Sequence, residues 1–62
     1  MYIYTIYKTD KSGKLDNVEY VEYSDHLTNM ENHERVQQIT DDFQRQYPDC
    51  KVEFKRRLVP GI

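Results

Sequence analysis

Apolar residues recur at spacings of three and four across residues 28–47, which is the period of an α-helix with one buried face. The members of this stripe are Val36, Ile39, Thr40, Phe43 and Tyr47. Thr28 and Glu31, three residues apart, match the capping box that starts many helices. Pro48 ends the pattern, because the residue before a proline is disfavoured in the α region. The sequence therefore predicts one amphipathic helix from Thr28 to Tyr47.

Three other stretches, at residues 2–7, 15–23 and 50–59, have the β-branched, aromatic or alternating composition of strands. Gly13 is placed to supply the positive φ of a short hairpin loop between the first two. A right-handed crossover through the helix makes the last strand parallel to the second. We expect the last strand beside the first and antiparallel to it, because residues 2–7 have the most apolar pattern, which is typical of a central strand. We predict a single α+β domain over residues 1–62: a ββαβ unit with a mostly antiparallel sheet in the order 2-1-3 and the helix on one face.

A regular hairpin would pair Lys8 with Asp16 and Tyr4 with Tyr20. This register places five side chains under the helix, namely Tyr2, Tyr4, Ile6, Val18 and Tyr20. The other sheet face then shows Met1, Ile3, Tyr7, Val21 and Tyr23. A second apolar face on so small a domain predicts an interface with another protein or with a second copy. Tyrosines and isolated apolar residues are also tolerated in solvent, so the pattern fits an ordinary surface as well.

The charges are unevenly distributed along the chain. The formal net charge is −2, yet residues 15–49 carry nine acids against two arginines, and residues 51–59 carry four cations against one acid. This asymmetry would attract partners of opposite charge, although a mixture of both signs is also what solubility alone produces. With 62 residues, the chain has room for one small core, since a domain of this size buries only about 60% of its unfolded surface.

Cys50 is the only cysteine, which favours a reducing, intracellular setting. The first residues lack the basic region, apolar run and cleavage site of a signal peptide. No apolar stretch approaches the roughly 18 to 20 residues that span a bilayer. We expect a cytoplasmic protein with no membrane partner. Its size is typical of phage and mobile-element regulators, an association that rests on size alone.

Catalytic and metal-binding patterns are weak. His26 and His33 would lie about 10 Å apart along a helix, which is too far for one ion without further ligands. Cys50 and His26 lie at opposite ends of the predicted helix, which separates a nucleophile from its base. With only two glycines, the chain has no glycine-rich phosphate loop. We expect no catalytic residues, no metal site and no cofactor.

Two binding functions remain open. The first is a protein-interaction module, an inhibitor or adaptor, that uses its acidic helix face or its second sheet face and forms a homodimer in one version. Its candidate protein-binding residues are Glu31, Glu34, Asp41, Asp42, Ile3, Tyr7, Val21 and Tyr23. The alternative is a nucleic-acid-binding regulator that combines exposed tyrosines of the same sheet, Tyr7 and Tyr23, with cations of the last strand, namely Lys51, Lys55, Arg56 and Arg57. The net negative charge weighs against this alternative.

Overall fold

The computed structural model describes residues 2–60, which form three strands and one helix. The elements are β1 (Tyr2–Thr9), β2 (Leu15–Glu22), α1 (Asn29–Gln46) and β3 (Lys51–Leu58). β1 lies in the centre of the sheet, antiparallel to both neighbours, in the order β2-β1-β3. The predicted fold class and sheet order are confirmed, and every element lies within two residues of its predicted limits. The predicted position of Met1 on the second sheet face lies outside the described residues.

The β1–β2 loop is a tight three-residue turn. The Asp10 N–H donates to the Lys14 carbonyl at 3.0 Å, and Gly13 has the predicted positive φ, at 88°, where a β-carbon would be strained. The Asp10 carboxylate accepts from the hydroxyl and N–H of Ser12 and from the N–H of Lys14. These hydrogen bonds, that of the Ser12 hydroxyl above all, hold the pKa of Asp10 below its usual value. The predicted hairpin loop is confirmed.

A β-bulge interrupts the hairpin. Near the loop Lys8 pairs with Asp16, as predicted, but further along Ile6 pairs with Glu19. Val18 is therefore an extra residue in β2, and every pair beyond it is shifted by one position. Because side chains alternate between faces, a shift of one residue moves the rest of the strand to the opposite face.

The bulge makes part of the predicted face assignment wrong. Tyr4 faces Val21 instead of Tyr20, and both Val21 and Tyr23 pack against the core under the helix. The Tyr23 ring stacks on Tyr4, with ring centroids 6.5 Å apart, and its hydroxyl donates to the side chain of Asn29. Tyr20 instead points away from the helix and is 61% exposed. Val21 and Tyr23 therefore lie next to the core and not on the second sheet face.

The core lies between α1 and the helix-facing side of the sheet. Its buried apolar residues are Tyr4, Ile6, Val36 and Val52. The partly buried residues around them are Val18, Val21, Tyr23, Ile39, Phe43, Tyr47 and Phe54. The predicted helix stripe is confirmed, including Thr40, whose hydroxyl donates to the carbonyl of Val36 at 2.8 Å. Each fully buried aliphatic side chain contributes about 1.5 to 3 kcal/mol by leaving water.

The Asn32 side chain connects the loop between β2 and α1 to the helix through hydrogen bonds. This side chain is fully buried, and its Oδ1 accepts from the Ser24 N–H at 2.9 Å. Its Nδ2 donates to the carbonyls of Ser24 and Thr28 at 2.9 and 3.0 Å. A buried amide with these partners replaces water for the loop backbone. Asn32 is absent from the predicted stripe, although it lies four residues before Val36 on the same side of the helix.

The Gln44 side chain makes the corresponding hydrogen bonds to the loop between α1 and β3. Its Oε1 accepts from the Val52 N–H at 3.0 Å, and its Nε2 donates to the Cys50 carbonyl at 2.7 Å and the Tyr47 carbonyl at 3.1 Å. The side chain therefore bridges the end of the helix and the start of β3. One amide at each end of α1 fixes how the helix lies on the sheet.

Candidate functional site

The sheet side that faces away from α1 is the largest candidate surface, and we call it the open face. Because strand partners share a face and neighbours along a strand alternate, its members follow from the register. They are Ile3, Thr5, Tyr7, Thr9, Leu15, Asn17, Tyr20, Glu22, Lys51, Glu53, Lys55 and Arg57. No element among residues 2–60 packs on this side. Of the four sheet residues predicted to bind protein, Ile3 and Tyr7 lie here, whereas Val21 and Tyr23 pack against the core.

Tyr20 lies on the β2 side of the open face, opposite Thr5 of the central strand. Its hydroxyl accepts a hydrogen bond from the Asn17 side chain at 3.1 Å. These residues are three positions apart and share a face only because the bulge lies between them. Thr5, the strand partner of Tyr20 on β1, is 7% exposed. A closely packed central strand thus supports an exposed aromatic ring.

A chain of polar contacts runs along the β1–β3 side of the open face. The Tyr7 hydroxyl donates to Glu53 Oε2 at 3.0 Å, and Lys51 Nζ lies 3.0 Å from Glu53 Oε1. The hydrogen bond to the carboxylate raises the pKa of Tyr7 above its usual value. The Lys51 and Tyr7 donors lower the pKa of Glu53. Both groups keep their usual charge near neutral pH, with Tyr7 as a fixed donor.

The cations of β3 lie on two different sides of the sheet. Lys55 and Arg57 belong to the open face, together with Tyr7. Arg56 points to the helix side, where its guanidinium lies 4.6 Å from the centre of the Tyr2 ring, a cation–π arrangement. The alternation along β3 therefore divides the predicted nucleic-acid-binding cations. Tyr23, predicted to be exposed on the same sheet, packs against the core on the helix side instead.

The outer side of α1 carries the predicted acidic surface residues. They are Glu31, Glu34, Asp41 and Asp42, all exposed. Asp42 pairs with Arg45 at 2.8 Å, both side chains being well exposed, so this pair contributes little to stability. Asp41 accepts a hydrogen bond from Gln37 at 3.0 Å.

Glu31 has a structural role as well as an acidic charge. Its N–H donates to the Thr28 hydroxyl at 3.1 Å, and the Thr28 N–H donates back to Glu31 Oε1 at 2.9 Å. The predicted capping box is confirmed. The N–H of Thr28 also holds the pKa of Glu31 below its usual value. Among the acidic helix residues, Glu34 and Asp41 are therefore the better choices for testing a binding role.

A groove on the helix side of β3 has no counterpart in the sequence predictions. It encloses about 580 Å³ and is lined by Tyr4, Asn29, Met30, His33, Phe54 and Arg56. Met30 is 72% exposed at its rim, and the His33 ring meets Phe54 edge to face at 5.4 Å. Met30 and His33 are three residues apart and so lie on one side of the helix. This spacing was the sequence pattern from which a binding surface could have been predicted here.

The remaining features concern metal ligands, membrane-spanning helices and the free thiol. Within residues 2–60, no three His, Cys, Asp or Glu side chains are grouped in a way that would hold a metal ion. No helix in this part of the chain has the length and apolar character needed to cross a membrane. Cys50 is a free, half-buried thiol.

Comparisons with known proteins add no assignment. No protein-family model, no curated protein and no solved structure matches this chain. A functional interpretation therefore depends on the chemistry of the open face, the acidic helix face and the groove.

Proposed function

We propose that the protein is a small non-enzymatic binding module that acts on another protein, as an inhibitor or adaptor. The observation that carries the proposal is the uncovered open face, where the aromatic side chains of Tyr7 and Tyr20 share one surface with Ile3 and with the cations Lys55 and Arg57. Protein interfaces are enriched in tyrosine and arginine and have polar rims. A cytoplasmic setting and a phage or mobile-element origin belong to the same proposal, supported by the unpaired Cys50 and by size.

The acidic helix face is the second part of the proposed surface. It lies on the outer side of α1, across the domain from the open face, and it concentrates four carboxylates near one cation, Arg45. Opposite charges on two sides of a small domain orient it as it approaches a charged partner. We therefore assign Glu34 and Asp41 a steering role toward a basic target surface.

The first experiment separates these two surfaces. Wild-type protein, the Tyr20→Ala variant and a Glu34→Lys, Asp41→Lys double variant are immobilised, and proteins of the native host are tested for retention. Loss of one retained protein with Tyr20→Ala alone supports docking on the open face, and loss with the helix variant alone supports the acidic face. A retained protein that is indifferent to both changes would contradict the proposal.

Self-association through the open face is a version of the same proposal. Ile3 lies on this face and is half-buried, so a face-to-face dimer would cover it completely. Ile3→Asp would place a charge in that interface and convert a dimer to a monomer. Sedimentation of wild type and variant measures the change, and an identical mass for the two proteins rules out the face-to-face dimer.

Nucleic-acid binding is the second candidate function. It is favoured by one observation, that Lys55 and Arg57 share the open face with Tyr7 and Tyr20, since aromatic rings and cations together bind single strands. Fluorescence anisotropy with oligonucleotides at about 50 and 200 mM salt tests it. Tight binding that weakens with salt and with Lys55→Ala, Arg57→Ala would move the assignment to nucleic acid, whereas no binding at low salt would remove this candidate.

A further inference from the structure

The two outer edges of the sheet differ in regularity. β2 contains the bulge at Val18, and the Arg35 guanidinium donates to the carbonyl of Glu22 at its end, at 2.6 Å. β3 pairs with β1 over eight residues without a register shift. Bulges and capped backbone groups are devices that stop an edge from pairing with another strand. The β2 edge has both, whereas β3 has neither over most of its length.

The backbone of β3 presents a row of hydrogen-bonding groups away from the sheet. The Val52 N–H donates to Gln44 and not to β1, which shows that this residue directs its N–H outward. In an antiparallel pair the outward direction recurs at every second residue, so Phe54, Arg56 and Leu58 also direct their N–H and C=O groups outward. Gln44 occupies the outward backbone groups at the start of this edge. The outward groups of the residues after Val52 remain available to another strand.

Charge decides which strand this edge would accept. β3 carries Lys51, Lys55, Arg56 and Arg57 against Glu53, whereas β2 carries Asp16, Glu19 and Glu22 and no cation. Pairing two copies of β3 within the open stretch, centred on Arg56, would set Lys55 against Arg57 and Arg56 against itself. Like charges directly opposite each other destabilise a strand pair. The same charges attract an acidic strand.

The groove supplies the specificity that charge lacks. Phe54 lies on the edge strand and also lines the groove, opposite Met30 and His33 on α1. A strand added beside β3 would direct every second side chain to this side of the sheet. An apolar side chain opposite Phe54 would therefore cover Met30, and its neighbours along the strand would emerge on the open face beside Lys55 and Arg57.

We propose that the β3 edge binds an extended acidic segment of a partner protein as a fourth strand. Glutamate or aspartate side chains of that segment face Lys55 and Arg57, and an apolar side chain enters the groove beside Phe54. This is strand addition, in which main-chain hydrogen bonds supply affinity and side-chain positions supply specificity. The inference rests on the proposed protein-binding function and names the class of partner and the mode of docking.

The probe for this mode is a labelled synthetic octapeptide of alternating valine and glutamate. A control octapeptide carries lysine in place of glutamate. The acidic peptide is expected to bind, to slow amide hydrogen exchange at Phe54, Arg56 and Leu58, and to lose affinity with salt. The basic peptide is expected to bind at least tenfold more weakly. No change in exchange at these three amides at saturating acidic peptide would overturn the proposal.

Two substitutions at one position separate backbone pairing from charge. Arg56→Ala and Arg56→Pro both remove the guanidinium, but only proline removes the outward N–H, a change that edge strands tolerate. The proline variant is expected to bind the acidic peptide at least tenfold more weakly than the alanine variant. Equal affinity would overturn strand addition. If Arg56→Pro does not fold, as judged by circular dichroism, the exchange measurement on wild type decides.

Further variants test the charge and the location. Lys55→Glu with Arg57→Glu is expected to reverse the preference toward the lysine peptide, whereas Lys11→Glu with Lys14→Glu makes the same charge change in the hairpin loop and should leave the preference unchanged. Peptide binding that is lost with Tyr20→Ala but kept with Arg56→Pro would place the site on the open face. That result would keep the proposed function and overturn the edge. Oligomerisation of wild type that Arg56→Pro abolishes would instead assign the edge to a second copy.

Discussion

The two faces of the sheet use the same three strands in different ways. On the helix side, Ile6 is fully buried and the loop backbone nearby is satisfied by the buried amide of Asn32. On the open face, Ile3 is half-buried and the polar groups of Tyr7 and Tyr20 bond to other surface side chains. The comparison indicates that stability is concentrated on the helix side, which leaves the open face free to vary with a binding role.

The difference in stability between the two faces can be tested by truncating one isoleucine on each face. Ile6→Ala removes a fully buried side chain and is expected to lower the free energy of unfolding by about 2 to 5 kcal/mol. Ile3→Ala removes a half-buried one and is expected to cost about 1 kcal/mol. Urea unfolding followed by circular dichroism measures both.

The control for that pair is the binding assay. Ile3→Ala is expected to weaken partner binding, because Ile3 lies on the open face. The Ile6→Ala protein that remains folded is expected to bind the partner normally, because Ile6 lies on the helix side. Similar losses of stability for the two variants would contradict the view that the helix side carries the stability.

A smaller loss is expected at Asn32. Asn32→Ala leaves the N–H and carbonyl of Ser24 without their partner in a buried site, at a cost of about 1 to 3 kcal/mol. Gln38→Ala, an exposed substitution on the same helix, is the matched control and should change little. Thermal unfolding measures both, and a wild-type melting temperature for Asn32→Ala would show that water replaces the amide.

Most of the fold was predictable because its signals are local. The helical period of Val36, Ile39 and Phe43, the capping residues and the turn at Gly13 each act within a few positions in the chain. Sheet order followed from the apolar and β-branched composition of residues 2–7, which is typical of a central strand. These features need no knowledge of distant packing, and the structure confirms them.

The bulge was not predictable from the alternation of β2. With or without it, the helix side receives a comparable set of apolar residues, because Tyr20 in one register is replaced by Val21 in the other. The choice is made by tertiary packing, in which Tyr23 stacks on Tyr4. The sequence predictions therefore assigned Val21 and Tyr23 to the wrong face. Arg56 could have been separated from Lys55 and Arg57 by simple alternation along β3.

The helix layer also depends on its first turn. Thr28→Ala removes the hydroxyl that accepts the Glu31 N–H, and it is expected to cost about 1 kcal/mol. Thr28→Ser keeps the acceptor and should preserve most of the stability. Chemical unfolding of the two variants measures the difference, and equal losses would show that the hydroxyl bond is not what holds this end of the helix.

The smallest effects are expected on the open face, at Tyr7 and Glu53, and they appear as a pH dependence. The pKa of Glu53 is lowered in the folded state from its usual 4.5, so its stabilising contribution is present above about pH 4.5 and is lost as the pH falls through the folded value. The pKa of Tyr7 is raised above 10.0, so its contribution is present below pH 10 and is lost as the pH rises further. Tyr7→Phe should flatten the alkaline side of a plot of melting temperature against pH, since it removes the hydroxyl that donates to Glu53. A loss at neutral pH as large as that of Thr28→Ala would mean that the open face carries more stability than its exposure implies.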